Sequence, residues 1–249
     1  MTKRVRNTAR AVLFDLDNTL YDHRRASRAT LAVLHERWGL AAAGATPEDL
    51  SRAYFDINQR LWLKLATGEI DVQTLRAARV AALFEGLGVP PPRPPADLGR
   101  EYLDLYATFS YPFPGAEETL AAVSARLPLG LLTNGFTDIQ RPKVTRLGWD
   151  KYFRWLGVAE ELGAFKPDPA IFAKMCAMMA LAPGEVLYVG DSPVEDIIPA
   201  RAAGLVTCWL RTEAPEVARW NDEAKADYEV VDIREVAAVA ALLSDMGGT

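Results

Sequence analysis

Short unbroken apolar runs alternate with helix-spaced apolar stripes along most of this chain. The run Ala11 to Phe14 stops abruptly at Asp15, which reads as a fully buried strand with polar groups at its C-terminal end. Comparable runs recur at Leu129 to Thr133, Val186 to Asp191 and Leu205 to Leu210, with a weaker one at Tyr228 to Val231. Helix-like segments lie between them, at Glu117 to Ala125, Pro169 to Ala180 and Val194 to Ala203. Strands alternating with helices predict a doubly wound parallel α/β sheet.

Residues 23–110 break this rhythm. Thr46, Pro47, Glu48 and Asp49 have the form of a helix start, with Thr46 as N-cap and Pro47 at the first helical position. Leu50, Tyr54, Ile57, Leu61 and Leu65 then form a helical stripe, and Gly68 suits its stop. Asp71 opens a second helix through Leu75 and Leu83, ended by Gly86 and Gly88. Leu98, Tyr102, Leu105 and Phe109 mark a third, and Leu31, Leu34 and Trp38 an earlier one. The proline-rich stretch from Pro90 to Pro95 predicts an extended connector. An all-helical block between the first strand and the others is expected to be an insertion. The expected organisation is therefore a core of residues 1–22 and 111–249 with an inserted helical domain of residues 23–110.

Composition narrows the class. The chain has 249 residues, half of them apolar, which is enough for a sizeable core. Its net charge of −5 argues against coating a nucleic acid polymer or an anionic membrane. Lys3, Arg4, Arg6 and Arg10 precede the first apolar run, but Asp15 and Asp17 interrupt it too soon for a signal peptide or a span. The two cysteines, Cys176 and Cys208, sit in apolar stretches and form no CxxC pair, so buried thiols are expected. The cytoplasm is the default compartment, and the oligomeric state is not readable.

Open α/β sheets bind ligands at the C-terminal ends of their strands. There the chain places Asp15, Asp17 and Thr19 after the first strand, Thr133 and Asn134 at the end of the second, and Asp191 and Ser192 later, with Asp196 close behind. Lys166 stands just before a helix start. Carboxylates sharing one pocket repel each other, and the usual remedies are raised pKa values or a bound cation. An all-oxygen site that must also hold a phosphate suits Mg²⁺. Thr133, Asn134 and Lys166 supply donors for anionic oxygens. A carboxylate nucleophile beside such donors fits phosphoryl transfer through an aspartyl-phosphate.

Taken together, Asp15-x-Asp17-x-Thr19, Thr133, Lys166 and Gly190-Asp191-Ser192 with Asp196 resemble the four motifs of the haloacid dehalogenase superfamily, in order and spacing from residue 11 to about residue 210. The long interval between the first two motifs looks like that of members with a helical C1 cap. Thr133 to Phe136 and Leu205 to Leu210 look most similar to the pyrimidine 5′-nucleotidase-like phosphatase branch. The resemblance implies that Asp15 is nucleophile and metal ligand. Asp17 would be general acid and then base, its backbone carbonyl also binding the metal. Thr133 and Asn134 would hold phosphate oxygens, Lys166 would bridge nucleophile and phosphate, and Asp191 and Asp196 would complete the Mg²⁺ site.

The implied reaction is hydrolysis of a small phosphorylated metabolite, with a nucleoside 5′-monophosphate foremost. A sugar phosphomutase shares the whole core and remains an alternative. A non-catalytic binding module predicts a broken motif, and none is broken. Dehalogenases lack an acid at the place of Asp17 and need no metal, which disfavours that reading. Away from these motifs, Asp168 is expected to cap a helix and His35 to be a solvated cap-helix residue. His23, Asn58, Trp62 and Arg79 could face substrate, but each has a structural reading as well.

Overall fold

A computed structural model describes residues 8–211 and 225–245. Lys3, Arg4 and Arg6 lie outside them. The chain divides into two compact units, one of Met1–Asp22 and Pro112–Thr249, the other of His23–Tyr111.

The first unit is built on six parallel strands: β1 (Ala11–Phe14), β2 (Leu129–Thr133), β3 (Phe153–Val158), β4 (Val186–Gly190), β5 (Val206–Leu210) and β6 (Tyr228–Val230), in the order β3-β2-β1-β4-β5-β6. Strands β1, β2, β4 and β5 are buried along their whole length. Being covered on both faces explains why they read as continuous apolar runs instead of alternating ones. Its helices are α5 (Ala116–Ser124), α6 (Thr137–Arg146), α7 (Ala159–Leu162), α8 (Pro169–Met179), α9 (Ile198–Ala202) and α10 (Val236–Asp245), the labels α1 to α4 belonging to the second unit.

One face of the sheet packs Leu13, Leu132 and Tyr188 against Ile171, Phe172 and Met175 of α8. The Phe172 and Tyr188 rings meet edge to face with centroids 5.0 Å apart. Asp168 caps α8 as expected, accepting from the Ala170 N–H at 2.9 Å, and Pro169 takes the first helical position.

The strand order reverses direction at β1, between β2 on one side and β4 on the other. Such a switch point leaves a crevice beyond the strand ends. The chain leaves β1 through a tight loop in which Leu16 O accepts from Leu20 N and Tyr21 N, with Asn18 at a φ of +69°. A short-side-chain Asn tolerates that left-handed conformation.

The second unit holds α1 (His23–Arg37), α2 (Pro47–Ala66), α3 (Val72–Leu87) and α4 (Pro95–Tyr106). Thr46 and Asp49 form the expected capping box, and Asp71 caps α3. The helices bury Leu31, Leu50, Leu75, Leu83 and Leu98 against one another. Two expectations shift here. The proline stretch ends inside a helix, because Pro95 occupies the first position of α4, where a missing N–H costs nothing. His35 is buried and bonds Ala45 O at 2.7 Å, so it is not solvated.

Candidate active site

Three strand ends and one loop build the site. Asp15 follows β1, Thr133 ends β2, and Asp191 follows β4, so the sheet's register sets all three side chains at one edge. After β4 the chain makes a single π-helical turn, Pro193–Ile197, capped by Ser192 Oγ on Glu195 N at 3.1 Å. This turn folds Asp196 back against β4, which a Cβ on Gly190 would prevent: it would lie 2.5 Å from Asp196 Cγ.

Lys166 is the hub. Its Nζ lies 2.6 Å from Asp15 Oδ1 and 2.7 Å from Asp196 Oδ1, and it donates to Tyr188 OH at 3.2 Å. Tyr188 in turn donates to Asp196 Oδ1 at 2.7 Å, while Ser192 N donates to Asp196 Oδ2 at 3.0 Å. Thr19 Oγ1 sits 2.8 Å from Asp15 Oδ2 and 3.3 Å from Asp191 Oδ1, one hydroxyl between two carboxylates. Asp15, Asp191, Asp196 and Lys166 are all buried.

Burial dominates the electrostatics. It pushes the Asp15 carboxyl up; Lys166 pulls it down, Asp196 and Asp17 push it up again, and the result is about 7. Burial also opposes the Lys166 charge, but Asp15 and Asp196 outweigh it and hold the ammonium well above its usual range. Tyr188, raised far up by burial, stays protonated.

One carboxylate oxygen each from Asp15, Asp191 and Asp196 can be chosen so that all lie within 4.8 Å of one another. Lys166 pairs with two of these three acidic groups, Asp15 and Asp196, and such a gathering of buried oxygen donors suits a hard cation. The Asp17 carboxylate is not part of this group. It turns to α6, taking a hydrogen bond from Gln140 Nε2 at 2.7 Å and an ion pair from Lys143 Nζ at 2.7 Å. Gln140 Nε2 also donates to Thr133 Oγ1 at 3.0 Å, linking the ends of β1 and β2.

Asn134 follows β2, as expected. Its amide is bonded both ways to the Lys166 main chain, Nδ2 to O and Oδ1 from N, each at 2.8 Å. Its side chain therefore fixes the loop that carries Lys166. His23 is occupied within the helical unit, its Nδ1 2.8 Å from Tyr106 OH. Arg79 is buried there too, donating to Tyr54 OH at 2.9 Å.

Sequence reasoning missed Gln140, Lys143 and Tyr188. Tyr188 lies inside an apolar strand and carries no outward signal. Gln140 and Lys143 are spaced for one helix face just after Thr133-Asn134-Gly135, and that spacing was the available clue.

Fold and site together define a doubly wound α/β protein with a buried carboxylate–lysine centre at the switch point of a parallel sheet. Residues 9–204 match the family model described as haloacid dehalogenase-like hydrolase. The pyrimidine 5′-nucleotidase YjjG of Escherichia coli is 31% identical, over 82% of this chain and 88% of its own. The phosphoserine phosphatase of Thermus thermophilus is 32% identical, over 93% and 99%. Among solved structures, the magnesium-bound HAD-hydrolase YfnB of Bacillus subtilis superposes with a TM-score of 0.80 at 24% identity, covering 94% of this chain and 99% of that one. The chain belongs to the haloacid dehalogenase-like hydrolase family. It is an enzyme of hydrolase type, and no helix among the described residues is long and apolar enough to cross a membrane.

Proposed function

We propose that the chain is a Mg²⁺-dependent phosphatase of small phosphomonoesters, a nucleoside 5′-monophosphate foremost, working through a phosphorylated Asp15. The observation that carries this reading is the buried cluster of Asp15, Lys166, Asp191 and Asp196 at one edge of the sheet. A nucleophilic carboxylate lies against an ammonium, beside further carboxylates that can hold a cation. The names of relatives, pyrimidine 5′-nucleotidase and phosphoserine phosphatase among them, support a phosphomonoester as the substrate.

In this reading Asp15 attacks phosphorus and the ester P–O bond breaks, while Asp17 gives its proton to the departing alcohol oxygen. Asp17 then takes a proton from water, whose oxygen attacks phosphorus; the bond to Asp15 breaks and inorganic phosphate leaves. Lys166 and the Thr133 hydroxyl neutralise the phosphate oxygens, and Asn134 keeps Lys166 in place. Asp15, Asp191 and the Asp17 carbonyl would hold Mg²⁺, with Asp196 supporting that shell. Bound there, the ion would supply charge neutralisation at the phosphoryl oxygens. Asp17 and its two donors favour ester hydrolysis over displacement of a halide, which needs no proton donor. The helical unit, residues 23–111, is proposed as the cap that selects the substrate.

The test is phosphate release from a panel of phosphorylated metabolites, nucleoside monophosphates included, with and without Mg²⁺. Release should require the ion, and Asp15→Asn should abolish it. A variant that keeps most of its turnover would overturn the assignment.

A further inference from the structure

Helix α6 reads as a polar, unremarkable segment, yet its buried side supplies both donors to Asp17. Gln140 is 3% and Lys143 4% exposed, although both are polar and one is charged. They stand three residues apart, on one face of the helix. Lys143 Nζ meets Asp17 Oδ1 and Gln140 Nε2 meets Asp17 Oδ2, so each carboxylate oxygen has its own donor and the group cannot rotate without losing one.

The clamp is itself anchored. The Lys143 ammonium lies over the Tyr21 ring, 4.7 Å from its centroid, and Tyr21 is fully buried. At its start, α6 is pinned by Glu160 Oε2, which accepts from Thr137 N at 2.8 Å. Gln140 also reaches Thr133 Oγ1, so one amide spans Asp17 and the hydroxyl proposed to hold the phosphate. Gly135 makes room for it, because a Cβ there would fall 2.4 Å from Gln140 Nε2. No described group donates to the buried Gln140 Oε1, so the amide is anchored through Nε2 alone.

We propose that Gln140 and Lys143 are positioning residues for proton transfer by Asp17, a two-point clamp that fixes the orientation of its carboxyl group while the alcohol departs. The proposal rests on the phosphatase reading above. It assigns a task to the face of α6 and a reason for glycine at position 135. The balance is that of the first half-reaction: Asp17 enters it protonated on one carboxyl oxygen, the proton passes to the alcohol oxygen as the ester P–O bond breaks, and Lys143 and Gln140, bonded to the carboxylate that results, neither gain nor lose one.

Leaving-group dependence tests it in the full chain with Mg²⁺. A nitrophenolate departs without a proton, whereas an alkoxide needs one. The value of kcat/KM covers only the steps up to alcohol departure, so it reports proton donation whichever half-reaction limits kcat. Lys143→Met and Gln140→Met should lower kcat/KM for glycerol 2-phosphate about 10- to 100-fold more than for nitrophenyl phosphate, within the roughly 10²–10⁴ that a positioned acid contributes. Lys143→Arg, which keeps a donor, should recover part of the difference. Gly135→Ala should give the same signature by displacing Gln140. Equal losses on both esters would mean a merely structural role and overturn the proposal, as would no loss on either. If Lys143→Met fails to fold, Gln140→Met and Gly135→Ala decide the matter. Wild-type protein that releases phosphate from no member of the metabolite panel, these two esters included, refutes the phosphatase reading itself; wild-type turnover of both esters with unchanged ratios in the variants refutes the clamp alone.

Discussion

Asp15 works in an environment that its own charge destabilises. Its carboxyl is pushed from the ordinary 3.8 up to about 7, first by burial and then by its carboxylate neighbours, against the pull of Lys166. A group raised on folding stabilises the native state fully below its unfolded value and loses that contribution as pH rises through the folded one. Metal-free protein should therefore lose stability between about pH 4 and pH 7 on account of Asp15. Asp15→Asn removes the charge and leaves Lys166 paired with Asp196. In chelator the variant should melt higher than wild type at pH 8, with the gap shrinking towards pH 5. At roughly 2–4 °C for each kcal/mol in a chain of this size, the gap is readable by calorimetry. A wild type that is the more stable at pH 8, or a gap independent of pH, would contradict this account. The placement of Asp15, Thr133 and Asp191 in the candidate site was legible in the sequence for one physical reason: they end or follow apolar strands where such sheets bind ligands. The bond between the Asn134 side chain and the Lys166 main chain was not legible, because it depends on a loop that no pattern specifies.

At the scale of elements, the same logic separates what could be read from what could not. Strands β1, β2, β4 and β5 are covered on both faces, so their sequences are unbroken apolar runs. Strand β3 at the sheet edge is half-exposed and carries Arg154 and Gly157, which left no pattern to find. Helix α6 is polar and has Pro142 inside it, so neither periodicity nor propensity marked it, and Gln140 and Lys143 went unseen with it. The π turn after β4 depends on a glycine whose purpose is steric. A Cβ at residue 190 would fall 2.5–2.6 Å from three atoms of Asp196. Gly190→Ala should push that carboxylate off Lys166, Tyr188 and Ser192 together. The expected result is a chain that still folds, needs more Mg²⁺ for half-maximal activity, and releases phosphate at least about 10-fold more slowly, as one lost charge-stabilising contact typically costs. A Mg²⁺ titration of activity reads both quantities; if neither changes, the packing of Asp196 against β4 is not what holds the site together.

Every side chain proposed to act on phosphate or metal belongs to the unit of residues 1–22 and 112–249, and none to the helical unit of residues 23–111. The helices of that unit were readable in the sequence because they carry their own caps, at Thr46 and Asp71, and their own apolar stripes. A role for it in choosing substrate was not, since several of its polar side chains bond within the unit: His23 to Tyr106, Arg79 to Tyr54, and Trp38 to Glu101. This division has a thermodynamic consequence. A ligand stabilises only those conformations that bind it, by about 2.7 kcal/mol at 100 times its Kd, so Mg²⁺ acts against openings that break its donor set. The donors sit at the ends of β1 and β4, with the strands themselves in the centre of the sheet. Adding Mg²⁺ to metal-free protein should slow amide exchange in β1, β2 and β4 by up to about 100-fold where exchange proceeds through unfolding of that unit. Amides of α2, α3 and α4 should keep their metal-free rates, because opening the helical unit removes no donor. Exchange measured by mass spectrometry on peptides from each unit makes the comparison within one sample. Equal slowing in both would mean that the insertion and the sheet open as one cooperative body, and that substrate choice and chemistry are not separable by unit.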